Sequence, residues 1–197
     1  MMLPISAVSA VLFLSLMSVS SSAPLDCSHL LRPLHQLDPH LLEGRRAMVA
    51  GSLSYLPLME PLARRDSAAA IFSNSTTEGT LTFSRSLHLN GTCHYSSYNI
   101  SLEGRSFAFD SSRVTATFTH TSCRDCILLS FDVESGKRQH FYLFSRRRQL
   151  EQEEMEEFRA QVECLNMPPP AVMDPTKELC PAEETRRPSA QTDTKKD

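Results

Sequence analysis

Between residues 68 and 146 apolar and polar side chains alternate with a period of two, and turn-forming residues break the alternation roughly every ten residues. Leu81, Phe83, Arg85, Leu87 and Leu89 alternate with Thr82, Ser84, Ser86 and His88. Val114, Ala116 and Phe118 alternate with Thr115, Thr117 and Thr119. Ile127, Leu129, Phe131 and Val133 alternate with Leu128, Ser130 and Asp132. Successive side chains of a strand point to opposite faces, so this pattern marks strands with one face against a core. Asn90-Gly91, Glu103-Gly104, Asp110-Ser111-Ser112, residues 123–126 and Ser135-Gly136 supply the turns. Short strands joined by tight turns build an antiparallel sandwich or an up-and-down barrel.

The flanks read differently. Residues 24–43 are rich in Leu and Pro and predict an arm with a short helical turn, and residues 47–53 predict a short apolar strand. Residues 54–67 contain Pro57, Pro61, Arg64 and Arg65 and read as a long loop. Residues 149–165 predict one helix, with Met155, Phe158, Val162 and Leu165 as its apolar stripe. Glu151, Glu153, Glu154, Glu156 and Glu157 crowd its first turns, where the helix dipole favours negative charge. Pro168, Pro169 and Pro170 stop it, and the polar, charged residues 182–197 predict a disordered tail.

Residues 10–19 are an uninterrupted run of apolar and small side chains followed by Ser20, Ser21 and Ser22. Small residues at the two recognition positions suit signal peptidase, so residues 1–22 are expected to be a signal peptide and the chain to be secreted. The run is shorter than the ~20 residues that span a bilayer, and no later stretch is long and apolar enough, so no membrane span is expected. Six cysteines follow: Cys27, Cys93, Cys123, Cys126, Cys164 and Cys180. In a secreted chain an even number predicts a disulfide framework. Cys123 and Cys126 share one turn and suit a local bridge. A redox-active C-x-x-C wants a helix N-terminus to lower a thiol pKa, and this one leads into strand residues instead. Three sequons begin at Asn74, Asn90 and Asn99, which are the expected glycosylation sites.

Several chemistries are excluded. The formal net charge of −3 carries no polyanion-binding signature, so nucleic acid is not an expected partner. His29, His35, His40, His88, His94, His120 and His140 are scattered without metal-ligand spacing, so no metal and no cofactor are expected. No nucleophile elbow accompanies them, and no catalytic residue is assigned.

The order of these elements resembles that of the lipocalins: arm, first strand, further strands, one helix, and a cysteine-ended tail. Glu157-Phe158, Cys164-Leu165, Asp174-Pro175, Lys177, Glu178 and Cys180 look like the matching stretch of alpha-1-acid glycoproteins and apolipoprotein M. Within that group the chain resembles the fish branch that includes tributyltin-binding proteins and the pufferfish saxitoxin- and tetrodotoxin-binding protein. Asn90-Gly91-Thr92-Cys93 and the segment from Cys123 to Leu128 have counterparts there. The resemblance covers residues 27–181. It implies an all-β, eight-stranded antiparallel up-and-down barrel with one C-terminal helix packed outside, over a domain of residues 23–181. It also implies bridges Cys27–Cys164 and Cys93–Cys180, leaving no free thiol for an enzymatic lipocalin.

One departure stands out. Lipocalins carry Gly-x-Trp at the start of the first strand, and the Trp closes the base against an Arg late in the last strand. Here the place is Gly44-Arg45-Arg46, the chain has no Trp, and the late Arg is Arg146. Two arginines need an acid between them in a dry site. Arg46 is therefore expected either to point to solvent or to be joined by Glu43 or another acid, with a softer lower end.

The implied Cys93–Cys180 bridge and the Asn99 sequon fix a register. Both residues must face outward, and they are six apart on one strand face. His94, Ser96, Tyr98, Ile100 and Leu102 then point inward. The expected ligand-binding residues are Leu81, Phe83, Leu87, His94, Tyr98, Ile100, Phe107, Phe109, Val114, Phe118, Leu129 and Tyr142. The expected function is to carry or scavenge a small lipophilic or amphipathic molecule as a secreted monomer, with plasma proteins or lipoprotein as further partners. The alternative is a secreted modulator that acts through protein contacts with a filled barrel.

Overall fold

A computed structural model of the chain describes residues 26–75, 80–109 and 113–182. The expected signal peptide, almost all of the expected tail, Thr76 of the first sequon and the turn Asp110-Ser111-Ser112 lie outside them.

Eight antiparallel strands follow one another: β1 (Arg45–Leu53), β2 (Ser67–Asn74), β3 (Thr80–Leu89), β4 (Thr92–Glu103), β5 (Ser106–Phe109), β6 (Val114–Thr119), β7 (Cys126–Val133) and β8 (Arg138–Ser145). Each pairs with the next, and β1 pairs with both β2 and β8, which closes the barrel. Alternation sends Phe83, Ile100, Phe118 and Leu129 inward. It turns Leu128, Phe141 and Leu143 outward beneath a helix. β1 breaks the pattern with a bulge between Met48 and Ala50. Met48 and Leu53 belong to the inner core, whereas Val49 and Ala50 both face out. An extra residue in one strand shifts the phase of everything after it.

The connection between β1 and β2 is not the structureless loop expected. A 3-10 turn (Leu56–Leu58) runs into helix α2 (Met59–Ala63), which drops Leu62 into the core. Pro57 sits at the start of the turn, where its missing N–H costs nothing. The opposite end of the barrel is closed by the arm. There α1 (Cys27–Leu30) leads to Leu34, whose N–H donates to the Phe118 carbonyl. Leu34, Leu37 and Leu42 pack against the inner core.

The outer helix, α3 (Gln152–Cys164), starts three residues later than its periodicity suggests, behind a capping box of Glu151 and Glu154. Met155, Phe158 and Val162 are buried and Leu165 is half-buried. The Phe158 ring stacks on Phe141 of β8 at 5.5 Å. Gln161 is buried beside them and donates to the Leu30 and His120 carbonyls. A short strand β9 (Ala171–Val172) pairs with β1.

Three disulfides join Cys27 to Cys164, Cys93 to Cys180, and Cys123 to Cys126. The first ties the arm to α3. The second ties the tail to the outside of β4, where the Cys180 carbonyl also accepts from Arg45. Asn74, Asn90 and Asn99 are all exposed.

Arg46 meets neither expectation. It is 2% exposed, at the arm-closed end of the barrel. Nη1 donates to the backbone carbonyl of Glu43 at 2.8 Å, not to a carboxylate. Arg146 remains exposed and donates to the same carbonyl at 3.1 Å. One oxygen thus serves two cations without neutralising either.

Candidate ligand-binding site

The ends of β1, β3, β5 and β7 and the starts of β2, β4, β6 and β8 lie at one end of an up-and-down barrel. At that end, beside α2, opens a cavity of about 530 Å³. This falls within the roughly 300–1,000 Å³ of small-molecule pockets. Its walls come from all eight barrel strands, β6 contributing Val114 at its first position, so it is interior space and not a surface groove.

Aromatic rings form the floor. Phe83, Phe109 and Phe131 border the cavity and are in ring contact with Phe107 beneath. Phe72 and Phe118 extend the cluster below them. Tyr142 and Phe144 of β8 form one wall. Tyr142 lies against β1 because residue 51 is glycine: a Cβ there would come within 2.5 Å of the Tyr142 ring.

Polar groups gather at the rim. Arg85 donates to Ser96 Oγ at 2.8 Å and to Tyr98 Oη at 3.0 Å, and its guanidinium lies 5.3 Å from the Tyr98 ring centre. Ser96 and then Arg85 hold the Tyr98 phenol below its ordinary pKa. Arg65 enters from the end of the α2 segment. Burial pushes the Tyr142 phenol up, and burial together with Arg138, Arg65 and Arg85 pushes His140 down.

Of the residues expected to bind a ligand, Phe83, Leu87, His94, Tyr98, Phe109, Val114 and Tyr142 surround this cavity. Leu81, Ile100, Phe107, Phe118 and Leu129 do not. They belong to the same inner core but lie towards the arm-closed end, where side chains fill the barrel. Leu102, expected inward, is 37% exposed near the end of β4. Period two assigns a face and carries no height along the barrel. Arg85, Phe131 and Val133 line the cavity on faces the alternation already marked. Met48, Ala68 and Ala69 had no such signal, because a bulge or a run of small residues hides their phase, whereas His140 stands two residues from Tyr142 on the same face.

Among the described residues one group has the composition of a metal site, Cys123, Asp125 and Cys126. Its sulfurs are bonded to each other, and Asp125 accepts from Arg147 and Ser145. Arg147 also bonds Glu154, so this cluster anchors the end of β8 to α3.

No known family profile and no curated protein matches the sequence. Solved structures do. The siderocalin Ex-FABP, which functions through dual ligand specificities, aligns with a TM-score of 0.58 and 17% identity, over 68% of this chain and 93% of its own. A second siderocalin, with a dual ligand binding mode, aligns at 0.63 and 16% identity, over 75% and 97%. At such identities the likeness concerns architecture: this chain has the lipocalin fold.

Proposed function

We propose that this chain is a secreted glycoprotein that binds a small hydrophobic or amphipathic molecule in the open half of its barrel, to carry or scavenge it. The observation that carries the reading is the cavity of about 530 Å³ above a filled aromatic floor. A protein acting only through its outer surface needs no such space in its core. Burying apolar ligand surface there contributes about 25 cal/mol per Å² before association costs. The dual ligand behaviour of the two siderocalins supports the reading by analogy of fold alone.

Secretion is supported by the apolar leader over residues 10–19, by three disulfides and by sequon asparagines on the surface. Among the described residues no helix is long and apolar enough to cross a membrane. Resemblance in the C-terminal third supports a place beside the alpha-1-acid glycoproteins and apolipoprotein M, as a monomeric carrier of a lipid, xenobiotic or toxin. The seven expected residues that surround the cavity are proposed as its binding residues, and no enzymatic role is proposed. Native mass spectrometry of the protein from its natural source tests the proposal. A retained small molecule, lost after organic extraction, is the expected result. An empty protein that also ignores fatty acids, steroids, retinoids, organotins and guanidinium toxins in calorimetry would move the assignment to a secreted modulator.

A further inference from the structure

The cavity's charge is one-sided. No Asp or Glu is among the described residues that line it, whereas Arg65 and Arg85 both reach it. Three arginines outside the cavity are paired with carboxylates: Arg64 with Glu60, Arg138 with Glu134, and Arg147 with Asp125 and Glu154. Arg65 and Arg85 have no carboxylate partner among the described residues. The bonds Arg85 makes, to Ser96 and Tyr98, go to neutral oxygens. They orient the guanidinium without cancelling its charge. His140, on the facing strand, buries an Nε2 that has no partner. Directly beneath this polar rim the surfaces become apolar, with Phe83, Phe109 and Phe131.

Resting on the reading above, we propose that the site selects an amphipath with one compact anionic head, a carboxylate or a phosphate monoester. Arg65 and Arg85 hold the head at the mouth, and the hydrocarbon chain lies on the phenylalanine floor. A guanidinium presents paired N–H donors that match the two oxygens of such a head, and charge-assisted bonds of this kind are the strong ones. The His140 imidazole offers a further nitrogen to the same head. Burial is the larger cause of its lowered pKa, and Arg65 and Arg85 are among the arginines that lower it further. A cationic head would meet the positive field of the two guanidinium groups as repulsion. A neutral head would forgo it, so a neutral amphipath with the same chain binds through the chain alone.

The test is calorimetry on the intact secreted protein with four probes that share a twelve-carbon chain, each below its micelle concentration. They are dodecanoate, dodecyl phosphate, dodecanol and dodecyltrimethylammonium. At least one anion is expected to bind about tenfold more tightly than dodecanol, the scale of one charge-assisted bond. Whichever anion shows the preference identifies the head as carboxylate, phosphate or both. In the double variant Arg65→Gln/Arg85→Gln the preference should disappear while dodecanol affinity stays within about twofold, which also shows that the variant is folded. Arg64→Gln, at an exposed and paired arginine, should change nothing. Dodecanol equal to both anions, a preference that survives in the double variant, or tightest binding of the ammonium probe would each overturn the charge assignment and leave the carrier reading standing. Failure of all four probes would overturn the head-group assignment, while the carrier reading falls only if the protein is also empty in native mass spectrometry and silent to the wider ligand panel. Loss of dodecanol binding in the double variant would mean misfolding, and the single variants Arg65→Gln and Arg85→Gln then decide: either must weaken the preferred anion relative to dodecanol, or the proposal is wrong.

Discussion

Arg46 places a cation where the fold offers it little. Nη1 reaches the Glu43 carbonyl, and Nε and Nη2 have no partner. Burial, and then the neighbouring Arg146, lowers its pKa to about 10. The sign follows from linkage. The folded chain holds this proton less tightly than the unfolded chain, so stability rises with pH only above about 10, and at neutral pH the charge is a net cost. Arg46→Met keeps much of the volume and removes the ion. It should stabilise the protein by roughly 1–3 kcal/mol, read as a higher calorimetric midpoint at pH 7. A lower midpoint would show that the single carbonyl bond outweighs the desolvation. Gly51 is the opposite case, a residue that the site needs small. Gly51→Ala would drive a methyl group into the Tyr142 ring and should cost about 1–3 kcal/mol in urea unfolding. Because Tyr142 is a cavity wall, ligand affinity should fall with it. Neither role was legible in the sequence: the strand pattern places a Gly or an Arg on a face without saying what meets it there.

Elements differ in how openly their sequences announce them. The α3 stripe of Met155, Phe158 and Val162 was readable because helix periodicity and burial coincide, whereas Gln161 was not, since a buried amide looks like a solvent-facing one. The α2 segment was hidden by Pro57 and Pro61, which break helices in mid-run but suit the first turn. Strand β8 combines apolar wall and titratable rim, and it supplies a pH prediction. His140 on β8 and His120 just after β6 are both held below the ordinary histidine value. Burial is the main cause for each, with Arg138, Arg65 and Arg85 adding at His140 and Arg32 at His120. A base with a depressed folded pKa costs nothing well above its unfolded value, and it destabilises the fold as pH falls below about 6.5. The melting midpoint should therefore decline from about pH 6.5 downward. His140→Gln should make the decline shallower, with the remaining slope assigned to His120 through His120→Gln. A melting profile unaltered by His140→Gln would refute the contribution of His140.

The whole barrel divides into a filled half and an open half, and this division explains why fold was more legible than site. Alternation, turns and cysteine positions all constrain which strands pair and which face is inner. Nothing in a period of two distinguishes Phe118, packed at the arm-closed end, from Phe83, at the cavity floor. What decides is how many large side chains converge at each level. Below the floor Phe72, Phe107, Phe118, Ile100 and Leu129 meet and leave no room. Above it Val114, Val133, Leu87 and the small Ala68 face one another across the space. Stability and binding should accordingly separate along the barrel axis. Phe118→Ala removes a fully buried ring from the filled half and should cost about 3–5 kcal/mol, with dodecanoate affinity within about twofold in the molecules that remain folded. Leu87→Ala trims a side chain that already borders empty space, so it leaves little new void and should cost less than about 2 kcal/mol. The same change removes apolar surface from the ligand's path and should weaken dodecanoate binding severalfold. Urea unfolding and calorimetry on the two variants measure both quantities. If Leu87→Ala proved the more destabilising, or Phe118→Ala weakened binding more, the open half would not be where the ligand sits.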